Sequence, residues 1–188
     1  MIAVPNLNNL GAIANMSDQE VLARVAWGEA RGLGPVGMQA TLNTVNNRLK
    51  SGRTWWGSTL RGIALAHYQY SCLNPTDPNL PQLLSVTDSD PQLSAALGLA
   101  GHLLVDCLPD VTNGADSYFD RRLPRWPVWY LGLQPCFTLG PHLYFNTVSR
   151  SLSTQAAAST PPPSTLGTSS GQDHLSSQSA RPETDESC

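Results

Sequence analysis

The sequence is poor in charge and has almost no lysine. Only 13% of its 188 residues are charged, about half the usual share. Ten of the eleven basic side chains are arginine, and Lys50 is the exception. The net charge is −3 and no block of Lys and Arg occurs, whereas nucleic-acid-binding domains concentrate basic residues on one face. We therefore expect no nucleic-acid partner.

Long apolar segments are also missing. No apolar run approaches the roughly 18–20 residues that a membrane-spanning helix needs. The first residues, Met1 to Asn6, lack the basic and apolar regions of a signal peptide. We expect no membrane insertion, and synthesis in the cytoplasm without a signal peptide.

Cysteine and histidine show no metal-binding spacing. The four cysteines are Cys72, Cys107, Cys136 and Cys188. They form no C-x-x-C pair, and no histidine belongs to an H-E-x-x-H motif. We expect no metal site and no cofactor. For the three cysteines before the terminal one we expect buried free thiols, with one internal disulfide as the alternative.

The composition changes near residue 150. Ser, Thr and Pro supply 19 of the 38 residues in 151–188, and such a segment buries too little apolar surface to offset the entropy of ordering it. We predict an N-terminal extension over 1–16, a single domain over 17–150 and a disordered tail over 151–188. The tail accounts for the net charge, because residues 1–150 carry ten acidic and ten basic side chains.

Three main helices are predicted from capping residues and apolar spacing. Ser17 followed by Glu20 forms a capping box before an apolar stripe, and this helix ends within 28–32. The same kinds of signal predict helices from Pro35 to Gly52 and from Asp90 to Cys107.

The other segments predict smaller elements. A short helix is expected within 58–66, and three prolines in 69–89 favour a long surface loop. Residues 110–146 are rich in aromatics, Gly and Pro, which allows only short strands near 115–119 and 142–145. The predicted fold class is α+β and helix-dominated.

Glu29 is the strongest candidate for catalysis. It lies at the end of the first predicted helix, close to Trp27 and flanked by glycines that permit close approach. A carboxylic acid against an indole loses hydration, which favours the protonated form that a general acid needs. A negative charge at a helix C-terminus opposes the helix dipole, so stability alone does not explain Glu29. The alternative is pairing with Arg31 or a role at the helix end.

Several blocks of sequence occur in the order of a known family. They are Glu29-Ala30-Arg31-Gly32, a helix with Asn47-Arg48 near its end, Gln69-Tyr70-Ser71, the segment from Asp110 to Phe119, and the segment from Gly140 to Phe145. Together they cover roughly residues 18–146. They resemble the E-A-R-G-E, N-R, Q-F-S, D-P-T-x-G-A and G-x-H-x-F-Y hallmarks of the bacterial cell wall hydrolases typified by the spore cortex-lytic enzymes, the SleB-like proteins.

The resemblance implies a lysozyme-like domain that cleaves the glycan strands of peptidoglycan, usually as a lytic transglycosylase. The family's essential Glu corresponds to Glu29, which protonates the oxygen between N-acetylmuramic acid and N-acetylglucosamine. The 6-hydroxyl of muramic acid then closes on its own anomeric carbon, and the same carboxylate takes the hydroxyl proton. This scheme needs no second carboxylate, whereas most glycosidases use two.

Three positions depart from the family pattern. Leu33 stands where the opening has its second Glu, Tyr70 replaces the Phe of Q-F-S, and Val111 replaces the Pro after the Asp. Loss of the second acid favours Glu29 as the single catalytic carboxylate. The hydroxyl of Tyr70 is a further candidate for a hydrogen bond to a sugar.

Four other side chains are candidate substrate-binding residues. An amide and a hydroxyl, from Gln69 and Ser71, suit acetamido groups, with loop-stabilising hydrogen bonds as the alternative. The rings of Tyr118 and Tyr144 suit stacking on sugars, with core packing as the alternative.

Other polar and aromatic residues divide between structure and binding. We expect Asn47 and Arg48 to be structural, because polar groups at a helix end usually tie down neighbouring backbone. Four tryptophans are candidates for lining a glycan cleft, with packing expected for at least half of them: Trp55, Trp56, Trp126 and Trp129. Attraction to an anionic wall is assigned to three arginines: Arg121, Arg122 and Arg125.

The function expected from these features is peptidoglycan cleavage by a monomeric enzyme. Its size and the missing signal peptide favour a bacteriophage or prophage endolysin, which acts on the wall in the periplasm after release, and a phage particle component is a second role. The alternatives are an N-acetylmuramoyl-L-alanine amidase and a non-catalytic glycan-binding module.

Overall fold

The computed structural model describes residues 8–148, with side chains from Gly11 onward. The predicted tail, 151–188, lies outside the described residues, as do residues 1–7 of the predicted extension. Within the described range the helices are α1 (Asn8–Ala14), α2 (Asp18–Ala30), α3 (Gly34–Lys50), α4 (Leu60–Ala64), α5 (Leu80–Ser85) and α6 (Pro91–Leu104). Searched over the same range, no helix is long and apolar enough to span a membrane.

A small antiparallel sheet follows the helices. Its strands are β1 (Ser117–Asp120), β2 (Phe137–Leu139) and β3 (His142–Phe145), and β3 lies in the middle. The register places Tyr118 opposite Tyr144 in the β1–β3 pair. Short 3-10 turns cover Arg31–Leu33, Thr54–Trp56, Ser71–Leu73 and Val128–Tyr130.

Helix α2 starts where its sequence signals place it. The Ser17 side chain accepts from the Glu20 N–H, and the Glu20 carboxylate accepts from the Ser17 N–H, so the predicted capping box is present. The apolar face of α2 packs against α3 and α6, which also contact each other. These three helices form the main core and fix the position of the C-terminal end of α2.

Trp27 ties α2 to the start of α6. Its indole N–H donates to Asp90 Oδ1 at 3.1 Å, and that oxygen also accepts from the first free N–H groups of α6, on Gln92 and Leu93. The Trp27 side chain is buried. A single carboxylate therefore caps one helix and anchors the neighbouring one.

The sheet is attached to the end of α3 by polar contacts. Asn47 Nδ2 donates to the Ala115 carbonyl at 2.9 Å and to Asp110 Oδ2 at 3.0 Å. Arg48 Nε donates to the Asp116 carbonyl at 2.6 Å. The predicted structural roles of Asn47 and Arg48 are confirmed by these contacts.

Two predictions about chain segments need correction. The region 69–89 is not a plain surface loop, because it contains α5, whose Leu80 and Leu83 are buried. The Arg24 side chain on α2 donates to the Leu83 and Val86 carbonyls at the end of α5. These partners lie about sixty residues away in the chain, so local spacing does not show them.

The N-terminal extension and the sheet each contain an element that was not predicted. Part of the extension forms α1, whose Ile13 is buried in the main core. The Arg61 guanidinium donates to the Ile13, Ala14 and Met16 carbonyls and so ties down the end of α1. Strand β2 is an element that the sequence pattern did not predict.

The expected thiols are only partly present. Cys72 and Cys136 are free, whereas Cys107 is disulfide-bonded. The expectation of buried free thiols is therefore confirmed at Cys72. Cys136 is free but only half-buried, and the expectation is wrong at Cys107.

Candidate active site

A groove of about 910 Å³ opens at the C-terminal end of α2. Its lining comes from the ends of α2 and α3, from parts of 53–56 and 68–79, and from the sheet and its β1–β2 loop. Four of the five predicted site residues line it: Glu29, Gln69, Ser71 and Tyr118. Tryptophans 55, 56 and 129 also line the groove, and Trp126 packs on Phe119 instead.

The Glu29 carboxylate is held by three hydrogen-bond donors. Oε1 accepts from the Cys72 backbone N–H at 3.0 Å and from the Ser71 hydroxyl at 3.2 Å. Oε2 accepts from the Tyr118 hydroxyl at 3.0 Å. Two segments far from α2 in sequence therefore fix both oxygens of one groove-lining acid.

The surroundings of Glu29 differ from the apolar wall expected for it. Trp27 lies outside the groove lining and its indole is engaged by Asp90. The alternative of pairing with Arg31 is not what the structure shows either. Arg31 places its guanidinium 4.2 Å from the Trp27 ring centroid and donates to the Gly28 carbonyl. The Glu29 carboxylate is thus held by hydrogen-bond donors beside an open groove.

Gly28 permits the close contact that brings a donor to Glu29. A Cβ at this position would lie 2.7 Å from both Cβ and Sγ of Cys72 and 2.6 Å from Leu83 Cδ1. Cβ atoms do not approach that closely, so only glycine allows Cys72 to pack against α2 here. The backbone N–H of Cys72 reaches Glu29 because of this missing side chain.

Tyr118 remains a donor under all ordinary conditions. Burial, followed by the negative charge of Glu29, raises the pKa of the Tyr118 hydroxyl well above its usual value. Its ring stacks on Tyr144 at a centroid distance of 5.2 Å. The hydroxyl is therefore protonated and directed at the Glu29 carboxylate.

On the expectation that this groove cleaves peptidoglycan, replacing Tyr118 by Phe should lower kcat about tenfold with little change in KM, because one donor to the carboxylate is lost while the ring packing remains. The measurement is initial rate against concentration of soluble wall fragments. Tyr130→Phe is the matched control, because Tyr130 packs on Phe119 outside the groove lining. A full rate in Tyr118→Phe would show that the hydrogen bond from Tyr118 to Glu29 does not contribute to the reaction.

Tyr144 lies in the core and not in the groove lining, contrary to its prediction as a substrate-binding residue. The side chain has no exposed surface and packs in a second core with Ala40 and Ala115. A buried ring does not stack on a sugar, so the predicted substrate-binding role is wrong. Tyr144 supports Tyr118 from behind, through the ring contact between them.

Gln69 and Tyr70 are organised by Arg48. The guanidinium has donors only, so the Gln69 amide is assigned with its oxygen toward Arg48, 2.9 Å from Nη1 and 3.2 Å from Nη2. Arg48 Nη1 also donates to the Tyr70 hydroxyl at 3.1 Å. Tyr70 is buried outside the groove lining, so its predicted hydrogen bond to a sugar is wrong.

The other two departures from the family pattern have local explanations. Val111 has an N–H that proline lacks, and it donates to Asn43 Oδ1 at 3.1 Å. Leu33 is an apolar neighbour of Gly37 and Gly140, since a Cβ on either glycine would lie within 3.1 Å of the Leu33 side chain. Both replacements suit contacts between α3, the 3-10 turn before it, and the segments around the sheet.

Three ionisable groups besides the predicted site residues line the groove: Asp77, Asp120 and His142. The two aspartates have no sequence setting like that of Glu29, and His142 belongs to the block from Gly140 to Phe145. Searched over residues 8–148, no three His, Cys, Asp or Glu side chains are grouped so as to hold a metal ion. No sequence spacing brings these three positions together, because the groove is assembled from distant segments.

His142 makes stability depend on pH. Burial lowers the pKa of His142, and its Nδ1 is buried without a partner among the described residues. An unfolded His titrates near 6.5, so the unfolded chain binds more protons than the folded chain just below that pH, and stability falls as pH falls through this window.

The expected result is a larger drop in melting temperature between pH 7 and pH 5 for the native chain than for His142→Gln. Calorimetry of both proteins across this range measures it. An identical pH dependence in the two proteins would contradict the role of His142.

The fold and the groove define a helix-dominated α+β domain that presents one hydrogen-bonded carboxylate at the end of its central helix. No family model matches the chain, and no curated protein sequence matches it. Among solved structures it is similar to the catalytic domain of the Bacillus cereus SleB protein, with a TM-score of 0.51 and 18% sequence identity. The match covers 69% of this chain and 89% of that domain. The predicted fold class, helix-dominated with a small β region, is confirmed.

Proposed function

We propose that this protein cleaves bacterial peptidoglycan at the glycosidic bond between N-acetylmuramic acid and N-acetylglucosamine. The observation that carries the proposal is the Glu29 carboxylate, fixed by three donors at the edge of an open groove. The SleB-like fold supports it. The ordered sequence blocks between Glu29 and Phe145 support it independently of the fold.

Glu29 serves as general acid and then as general base. When its proton passes to the glycosidic oxygen, negative charge develops on the carboxylate, and the donors from Ser71, Cys72 and Tyr118 already face that charge. The 6-hydroxyl of muramic acid then attacks its own anomeric carbon, and the carboxylate takes the hydroxyl proton. The glycosidic bond breaks, N-acetylglucosamine leaves with the proton from Glu29, an internal 1,6-anhydro acetal bond forms, and the proton of the 6-hydroxyl protonates Glu29 again.

The other two acidic side chains of the groove are engaged by neighbouring groups, which favours a reaction that uses one carboxylate. Asp120 is engaged by Arg122, whose Nη2 lies 2.6 Å from Oδ2, and this hydrogen bond lowers the pKa of Asp120 to about 2. Asp77 Oδ1 accepts from the Asn79 N–H at 2.7 Å. Both carboxylates therefore have structural partners of their own.

Asp120→Asn should keep its rate within about threefold of the native rate, because the proposed mechanism uses no second carboxylate. The rate on purified sacculi, with melting temperature as a folding check, measures this. Loss comparable to that expected for a general acid, about 100-fold or more, would instead indicate a two-carboxylate glycosidase.

The groove suits a chain of sugars. Exposed aromatic rings at Trp55 and Tyr68, which are 71% and 75% exposed, lie in its lining and offer faces for pyranose stacking. The Gln69 amide, with its oxygen on Arg48, turns its NH₂ group away from the guanidinium and suits a carbonyl oxygen of an acetamido group. Ser71 supports Glu29 in addition to lining the groove.

We further assign the catalytic domain to 17–150 and propose that the enzyme acts as a monomer in host lysis, as a phage or prophage endolysin. Mass spectrometry of fragments released from purified sacculi tests the reaction. Anhydro-muramic ends are the expected result. New reducing ends indicate a hydrolase, new amino termini indicate an amidase, and wall binding without release indicates a non-catalytic module.

A further inference from the structure

The β1–β2 loop, residues 121–136, exposes an apolar surface that the proposed reaction does not use. Val128 is 81% exposed, Leu131 56% and Trp126 43%. All three lie outside the groove lining. Large apolar side chains grouped on a surface in this way mark a contact with another phase or molecule.

The loop presents these side chains on a packed base. The Trp126 ring lies 5.1 Å from Phe119 and 5.2 Å from Tyr130, measured between centroids. The Trp126 indole N–H donates to the Arg121 carbonyl at 2.9 Å. The 3-10 turn Val128–Tyr130 follows directly, so Val128 projects from an ordered aromatic cluster.

The same loop is basic. It contains Arg121, Arg122 and Arg125 and no acidic residue. Arg122 is paired with Asp120. Within the described range, Arg121 and Arg125 are exposed and their side chains form no hydrogen bond or ion pair. The loop therefore offers two available positive charges beside exposed aliphatic and indole groups.

We propose that the β1–β2 loop docks on an anionic phospholipid surface. Arginine side chains are attracted to anionic headgroups, and tryptophan prefers the interface between headgroups and acyl chains. Val128 and Leu131 gain from contact with acyl chains, whereas aliphatic groups gain little on a hydrated, polar sugar polymer. The positive charges of Arg121 and Arg125 are thus assigned to contact with a lipid surface. Contact with the anionic wall is the alternative that the binding test distinguishes.

Co-sedimentation with vesicles tests this docking surface. The full chain should bind vesicles of equal parts phosphatidylglycerol and phosphatidylcholine at least tenfold more tightly than pure phosphatidylcholine, and added salt should weaken the binding. Arg121→Glu/Arg125→Glu and Val128→Asp should each reduce binding at least fivefold. Val105→Asp is the matched control and should bind like the native chain. Val105 is also an exposed valine, at 67%, but it lies at the end of α6 and outside the loop.

Activity on soluble wall fragments separates this proposal from the proposed function. Val128→Asp should cleave them at the native rate, which also shows that the variant is folded. Equal binding to neutral and anionic vesicles, or native binding by the variants, would overturn the proposal. Variants that lose binding to purified sacculi but keep vesicle binding would overturn it in favour of a wall contact.

Discussion

Glu29→Gln should abolish wall cleavage, with a rate loss of about 10²–10⁴-fold, while the fold is retained. An amide keeps the shape of the side chain, and its oxygen still accepts from Ser71 and from the Cys72 N–H. The N–H protons of the amide are too weakly acidic to be transferred to a glycosidic oxygen, and the neutral amide is too weak a base to take the hydroxyl proton. Turbidity loss of permeabilised cells and melting temperature, measured on the same preparation, check both parts.

Glu20→Gln is the matched control for this substitution. Glu20 belongs to the capping box at the other end of α2, and glutamine is an accepted residue there. This variant should cleave walls at the native rate. A folded Glu29→Gln protein that remains active would remove Glu29 from its proposed role.

Gly28→Ala should destabilise the protein by about 1–3 kcal/mol and lower the cleavage rate about tenfold or more. The new methyl group would overlap Cys72 and Leu83. Relief requires moving Cys72 away from α2, which lengthens the hydrogen bond from its N–H to Glu29. Thermal unfolding and the rate on sacculi measure the two effects.

Gly98→Ala provides the control for adding a methyl group to a helical glycine. Gly98 lies within α6 and is exposed, and a Cβ there meets nothing within 4 Å. The substitution should stabilise the helix by about 0.5–1 kcal/mol and leave the rate unchanged. Similar effects of the two substitutions on stability and rate would show that packing at Gly28 does not position the donor.

Local signals predicted the helices that build the core. The capping box at Ser17 and the Asp90 cap are both present in the structure, because such signals lie within four residues of each other. The first of these helices carries Glu29 to its C-terminal end, where the groove opens. The position of Glu29 at a helix end therefore follows from a short stretch of chain, whereas its catalytic assignment rests on the ordered sequence blocks over residues 18–146.

The partners of Glu29 were only partly predictable. Ser71 and Tyr118 were named as sugar contacts, but their hydroxyls contact the carboxylate. The Cys72 contribution is a backbone N–H, which any residue supplies, so side-chain identity gives no signal for it. Tyr144 shows the same limit, since alternation in a strand does not reveal which face a second core covers.

Digestion of purified sacculi in water labelled with heavy oxygen tests the central claim most directly. If Glu29 acts alone and the muramic 6-hydroxyl closes the ring, the native protein releases anhydro-muramic ends that contain no label. In parallel, Glu29→Gln releases fragments at least about 100-fold more slowly than the native protein. Labelled reducing ends, or release by the Glu29→Gln protein at close to the native rate, would contradict the one-carboxylate mechanism.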